Sequence, residues 1–307
     1  MRREGDMGTR RDFLKRSLMG GAGVAVSGCV TAVPSRANGN PKMRIGMAGY
    51  TYNRFTLDET LAALERFDIH GLCAKNFHFP YEAASGELKG LISKCADRGV
   101  QIYAAGPIPI NDVEMAKRMF DYCATLGVST IVGVPGEKRA DGKIVTSRRL
   151  CETVSDLADK YCMNFAIHNH GANPETGNPL LFPTCLGTYE LVRDLGPRIG
   201  LCMDIAYTYA DGYDPADVIR RCSDRIFDCH LRNIENPKNG SSGTVAWKGV
   251  VDYPSVFRAL KEVGYSGWCG LELANAFEAK ATKYWNPGTP DWIPLCLGYF
   301  RGVMDAT

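Results

Sequence analysis

From Met43 onward the chain alternates short β-rich runs with longer amphipathic segments, and it does so eight times. Strand candidates lie at 44–50, 70–77, 100–105, 128–134, 164–170, 199–204, 226–232 and 267–273. Helical periodicity, with apolar residues every three to four positions, is clearest at 58–67, 114–126, 147–161 and 253–263. The ends are marked too. Thr56 precedes Asp58 and Glu59, and Asp252 precedes a helix with Pro254 in its first turn. "DRGV", "TLGV" and "EVGY" each set a glycine between a helix and the next strand, where a left-handed residue closes a helix. No linker or shift in composition marks a second domain, so 41–307 reads as one. Eight β-then-α units in that length have the period and size of an α/β fold of the (β/α)8 TIM barrel type, with an open doubly wound sheet as the alternative. Either fold carries its chemistry at the carboxyl ends of its parallel strands.

Residues 1–40 read as an export leader and linker. Thr9-Arg10-Arg11-Asp12-Phe13-Leu14-Lys15 matches the twin-arginine pattern and precedes a weakly apolar stretch rich in Gly, Ala and Val at 18–26. Val26-Ser27-Gly28-Cys29 has the form of a lipobox, which would leave Cys29 as a lipidated N-terminus; a cut after Ser35-Arg36-Ala37 is the alternative. The expectation is an exported, periplasmic protein that meets a membrane only through a lipid on Cys29, since no later segment approaches the ~20 apolar residues of a spanning helix. The whole chain is 45% hydrophobic and 23% charged with a net charge of +2, which offers no basic surplus for nucleic acid. Twelve cysteines include no C-x-x-C pair, and Cys73, Cys162, Cys202, Cys229 and Cys269 fall inside apolar runs. They read as buried thiols, with one or two bridges left open.

Only five histidines are present, and three stand at predicted strand ends: His168, His170 and His230. Read with period 2, His168 and His170 share a phase with Ala166; Asp204 with Cys202 and Gly200; Asp228, His230 and Arg232 with one another; and Glu272 with Gly270 and Ala274. The intervening Ile167, Leu201, Met203, Leu231, Leu271 and Leu273 are apolar and face the helices, so the polar set points inward. Buried carboxylates without partners are strongly disfavoured. One divalent cation held by His168, Asp204, His230 and Glu272 resolves this, and a mixed N/O set suits Mn²⁺ or Zn²⁺ best, ahead of Co²⁺, Fe²⁺ or Mg²⁺. The plainer alternative, core histidines and an aspartate capping a turn, has to hold at four successive strand ends at once.

His170, in the same phase one layer higher, reads as a partner of the ligands, a substrate contact or a proton carrier. Lys75, in phase with Cys73, and Arg232 offer charge to polarise a carbonyl or hold a hydroxyl; a solvated strand-end lysine is the alternative for Lys75. His78 is out of phase with Lys75 and reads as a loop residue near the mouth. Together with Asn169 and Tyr207 it makes up the expected substrate contacts. The run Tyr207, Tyr209 and Tyr213 either lines a polyol pocket or is plain packing.

With "CAKNFHFP", "IVGVP", "FAIHNHG", "PRIGLCMDIAY", "RIFDCHLRN", "VDYPSVFRALKEVGYSG" and "LELA" in place, the chain resembles the xylose isomerase-like TIM barrels, also called sugar phosphate isomerase/epimerases, over nearly all of 43–307. The resemblance implies one divalent ion held at the ends of the fifth to eighth strands, which falls on His168, Asp204, His230 and Glu272. Two departures stand out. Most epimerases of the family carry, at the position of His168, a glutamate that is one of a pair exchanging protons with the two faces of the substrate carbon. Many also follow the sixth-strand aspartate with a histidine three residues on, where this chain has Tyr207. The imidazole pattern is closer to the branch that resembles inositol-type keto-sugar dehydratases, which remove an α-proton and expel a β-hydroxyl.

The resemblance therefore implies a metal-dependent isomerase or epimerase acting on a free sugar or keto-sugar through a metal-stabilised enediolate. Glu272 or His170 would be the base, and Lys75 or Arg232 the charge-stabilising donor. A keto-glycoside lyase or dehydratase on the same scaffold is the alternative, and a sugar-binding lipoprotein without turnover is a third reading. The expected partner is a small carbohydrate and not a nucleic acid; the oligomeric state is open, a homodimer among the options. No glycine-rich phosphate loop is present.

Overall fold

The computed structural model describes residues 43–170, 181–182, 184–239, 243–273 and 292–307, so the leader expected at 1–40 lies outside the described residues. Eight parallel strands form the centre: β1 (Arg44–Ala48), β2 (Gly71–Ala74), β3 (Gln101–Ile110), β4 (Thr130–Lys138), β5 (Asn164–His168), β6 (Ile199–Asp204), β7 (Ile226–Leu231) and β8 (Trp268–Leu271). They pair in the order β3-β2-β1-β8-β7-β6-β5-β4, and β4 pairs back onto β3. The sheet is thus closed, which makes the fold a (β/α)8 barrel and excludes the open doubly wound alternative.

Helices cover the outside of the barrel. They are α1 (Leu57–Arg66), α2 (Ser85–Asp97), α3 (Val113–Leu126), α4 (Arg148–Tyr161), α5 (Cys185–Val192), α6 (Ile205–Ala210), α7 (Pro215–Arg221), α8 (Tyr253–Glu262) and α9 (Trp292–Ala306). Local chemistry sets their ends. Thr56 and Glu59 form a reciprocal capping box on α1, and Asp252 caps α8 just ahead of Pro254. The glycines of the three cap motifs, Gly99, Gly127 and Gly264, have φ of 68°, 70° and 71°, as left-handed caps require. Among the described residues no helix is long and apolar enough to cross a membrane.

Two apolar layers follow from the strand period. Residues such as Ile131, Phe165, Leu201, Leu231 and Leu271 pack between strands and helices. Cys73, Tyr103, Ala104, Val132, Ala166 and Cys202 form a separate cluster within the barrel. Tyr103 stacks on Trp268 with ring centroids 4.8 Å apart and fills the interior, which forces small neighbours: a Cβ on Gly270 would lie 2.6 Å from the Tyr103 hydroxyl oxygen. Ten cysteines, Cys73 and Cys202 among them, are free and buried, and behave as small apolar residues.

Candidate metal centre

The carboxyl ends of β5 to β8 bring four donors together. His168 closes β5, Asp204 closes β6, His230 is the penultimate residue of β7 and Glu272 follows β8. Register sets Asp204 beside His230, and His230 beside Gly270. One nitrogen or oxygen from each of the four residues lies within 4.8 Å of the others. His168 Nε2 is 3.1 Å from His230 Nδ1, which is in turn 2.8 Å from Glu272 Oε2. His168, Asp204 and His230 are buried, and the Glu272 side chain is nearly so.

The donor set fits a dication. A single proton on His230 Nδ1 can serve His168 Nε2 or Glu272 Oε2 but not both, whereas a cation accepts lone pairs from all of them. Two carboxylates and two neutral imidazoles also match its charge. Asp204 is already engaged, Oδ1 accepting from the Tyr207 backbone N–H at 2.8 Å and Oδ2 from Arg232 Nε at 2.7 Å. A carboxylate offers about four lone-pair sites, so donor capacity remains. A grouping of His168, Cys202 and His230 is equally close. Burial pushes the Cys202 thiol well above its ordinary pKa, and Cys202 also packs in the apolar cluster within the barrel.

Electrostatics follow the same geometry. Burial first, and then the basic groups His170, His230, Arg232 and Lys75 around it, hold His168 well below the usual histidine pKa, so it is a neutral donor. For His230, burial pulls the pKa down, but Glu272, Asp228 and Asp204 together outweigh it and raise the group. Burial would raise Glu272, yet His230, Arg232 and Lys75 hold it below the ordinary carboxylate value. Behind the site, His230 Nε2 faces Asp228 Oδ2 at 4.0 Å, and neither atom has a hydrogen-bond partner among the described residues. Burial, only partly offset by His230, pushes the Asp228 carboxyl up to about 7.

A cavity of roughly 420 Å³ opens over the donors and is lined by Lys75, His168, His170, Asp204, Tyr207, Arg232 and Glu272 together with apolar walls. His170 lies beyond β5 with its ring 4.6 Å from that of His168 and 6.0 Å from that of Tyr207; it lines the cavity without joining the four-donor group. Lys75 donates to the Pro107 carbonyl at 3.0 Å. Arg232 stacks 4.0 Å over the Tyr207 ring.

Two expected substrate contacts lie elsewhere. The chain turns back after β2, and His78 is buried with Nε2 2.7 Å from the Phe55 carbonyl and 3.3 Å from the Thr60 hydroxyl, outside the cavity lining. Asn169 is buried and braces β6: its Oδ1 accepts from the Asp204 N–H at 2.8 Å and its amide donates to Thr208 at 3.4 Å. Tyr209 packs on the core and Tyr213 is exposed, and neither lines the cavity. Tyr50, Pro107, Pro109 and Val134 do line it, and the sequence reading had not singled them out. The two-residue spacing of the prolines in "GPIPI" was the available signal.

The family model described as "Xylose isomerase-like TIM barrel" matches residues 59–286. The chain belongs to this family. Among curated proteins it is similar to an inosose isomerase of Bacillus velezensis, 26% identical over 174 residues covering 51% of this chain and 58% of that protein. It is also similar to an inosose dehydratase of Lacticaseibacillus casei, 29% identical over 162 residues covering 43% and 50%. The chain thus spans only about half the length of the curated relatives it matches. Among solved structures, the IolI protein with a bound zinc atom superposes with a TM-score of 0.68 at 19% identity, covering 86% of this chain and 99% of that one, which is a likeness of fold.

Proposed function

We propose that this chain is a divalent-metal-dependent enzyme acting on a free sugar or keto-sugar, an isomerase or epimerase that works through an enediolate. The observation that carries the reading is the convergence of His168, Asp204, His230 and Glu272 within 4.8 Å at the floor of a cavity large enough for a monosaccharide. His168, Asp204, His230 and Glu272 would hold the ion, Mn²⁺ or Zn²⁺ before Co²⁺, Fe²⁺ or Mg²⁺. The zinc in the IolI structure supports that class of ion. A bound dication supplies Lewis-acid chemistry, stabilising the negative charge that develops when a proton leaves the carbon next to a carbonyl.

The remaining steps belong to the chain. His170, in the lining but outside the donor group, takes the α-proton on its imidazole. Arg232, fixed by Asp204 and Tyr207, and Lys75 on the facing wall orient substrate oxygens. Tyr207 gives the sugar ring a flat surface, and the prolines and Val134 exclude water.

A second reading, a keto-sugar lyase or dehydratase, is favoured by one feature. His168 stands where a two-base epimerase of the family would carry a carboxylate, so one proton-transfer carboxylate is missing. Relatives named inosose dehydratase support it. Incubating ketoses in D₂O separates the two. Deuterium entering the α-carbon without elimination supports the isomerase, an enone supports the lyase, and neither product from protein loaded with metal contradicts both. Export through the twin-arginine leader belongs to the same proposal; finding the mature chain in the cytoplasmic fraction of its host would contradict it.

A further inference from the structure

We propose that the pocket selects a substrate bearing a carboxylate, anchored on the ammonium of Lys75. The inference rests on the reading of the four-donor group as a metal site and goes on to name the chemical class of the substrate. The cavity lining holds two carboxylates, Asp204 and Glu272, and both belong to the donor group. Once they balance a dication, the lining among the described residues retains two cations and no further carboxylate. Of these, Arg232 is held at the metal end of the cavity, its Nε 2.7 Å from Asp204 Oδ2 and its guanidinium 4.0 Å over the Tyr207 ring.

Lys75 is differently placed. It follows β2, four strands around the ring from β6, and so stands across the mouth from Asp204. Among the described residues it forms no ion pair with a carboxylate; its one hydrogen bond goes to the Pro107 carbonyl at 3.0 Å, which leaves two of three ammonium N–H groups for a ligand. Its nearest aromatic face, Tyr50, is 5.9 Å away, at the outer limit of a cation–π contact. Burial lowers its pKa, and the more distant charges of Cys73 and Glu272 offset that loss of water only in part.

The wall around Lys75 narrows the class further. Pro107, Pro109 and Val134 supply no side-chain donor, and the prolines supply no backbone N–H. A phosphate ester recruits several donors, from a helix N-terminus, a backbone nest or a bidentate arginine, and among the described residues this wall offers one ammonium with Tyr50 as its other polar side chain. A carboxylate needs no more than that. A neutral polyol would leave the ammonium unmatched. The geometry therefore seats a ligand with its carbonyl and adjacent hydroxyl over the four donors and its carboxylate at the far end of the chain of carbons.

Three ligands that differ only at the terminal carbon test this: D-fructuronate, D-fructose and D-fructose 6-phosphate. Each is titrated calorimetrically into the full protein loaded with Mn²⁺, whose metal content is measured on the same sample. The expected result is a preference for the uronate over fructose on the order of 100-fold, the scale of a desolvated charge pair. That preference should fall to near unity in Lys75→Met and survive in Lys75→Arg. A uronate that binds no more tightly than fructose, whether both bind or neither does, overturns the inference, as does tighter binding of the phosphate. So does a preference that persists in a folded Lys75→Met protein. Protein that holds no Mn²⁺ fails the metal reading itself, whereas a loaded protein without charge preference fails only the anchor.

Discussion

Asp228→Asn isolates what lies behind the metal site without touching a donor. His230 presents Nδ1 to Glu272 and His168, so its other nitrogen, Nε2, is left facing Asp228 Oδ2 at 4.0 Å in a buried layer where neither atom has another partner among the described residues. A small swing of ring or carboxylate closes that gap to a hydrogen bond, which fixes the tautomer that keeps the Nδ1 lone pair on the metal side. Full unit charges at 4.0 Å would attract by about 4 kcal/mol at an effective dielectric of 20, which is an upper bound for a neutral ring. A hydrogen bond to a charged group nets about 1.5–3 kcal/mol. Loss of the charge should therefore weaken Mn²⁺ or Zn²⁺ binding roughly 10- to 100-fold, the range usual for carboxylates behind metal-bound histidines. Competition against a fluorescent chelator, on protein stripped of metal and then titrated, measures this directly. Circular dichroism checks the fold, and the His230 Nε2–H resonance of the Zn²⁺-loaded protein should lose its downfield shift in the variant. Affinity within about twofold of the wild type, with that resonance unmoved, would refute the reasoning.

Two further outcomes follow from the site and its scaffold. His170→Ala should leave the ion bound while turnover falls by roughly 10²- to 10⁴-fold, the usual contribution of a general base; metal analysis beside a rate assay checks it, and loss of the ion would make His170 a ligand instead. Burial raises the Tyr103 and Tyr122 phenols well above their ordinary value and Tyr81 up to about 12. Because the folded state then keeps protons that the unfolded chain loses above about pH 10, stability falls as pH climbs through that window. The phenolate absorbance of these three tyrosines should therefore appear only together with loss of helical signal; their ionisation near pH 10 with the fold intact would contradict the packing described.

The eightfold alternation was legible because each strand of a parallel barrel is apolar on its outer face and is followed by a capped amphipathic helix. All eight strands form near their expected positions. Their ends are another matter. The strand expected at 70–77 stops at Ala74, because the backbone turns and the His78 and Phe79 N–H groups bond back to the Lys75 carbonyl. β3 and β4 run on to Ile110 and Lys138, extended by pairing with each other and, at the tip of β4, by a short antiparallel partner at Ile144–Thr146.

The polar phase was readable at His168, Asp204 and His230 because their neighbours in sequence are apolar, and Lys75, Arg232 and Glu272 reach the same cavity from just past the strand ends. Asn169 and His78 show where that reading stops. A polar side chain near a motif looks the same in sequence whether it meets a ligand or satisfies the backbone, and these two do the latter. The apolar walls at Pro107, Pro109 and Val134 were faint for the opposite reason, since apolar residues in an apolar strand carry no chemical signal beyond the proline spacing of "GPIPI".

The central claim is that four strand-end side chains share one dication. Loading the stripped protein with Mn²⁺ or Zn²⁺, removing excess, and locating the ion by anomalous scattering tests it most directly. The account predicts one ion per chain, ligated by His168, Asp204, His230 and Glu272 and removable by chelator. Protein without bound metal after loading, or an ion found away from those four residues, would contradict it.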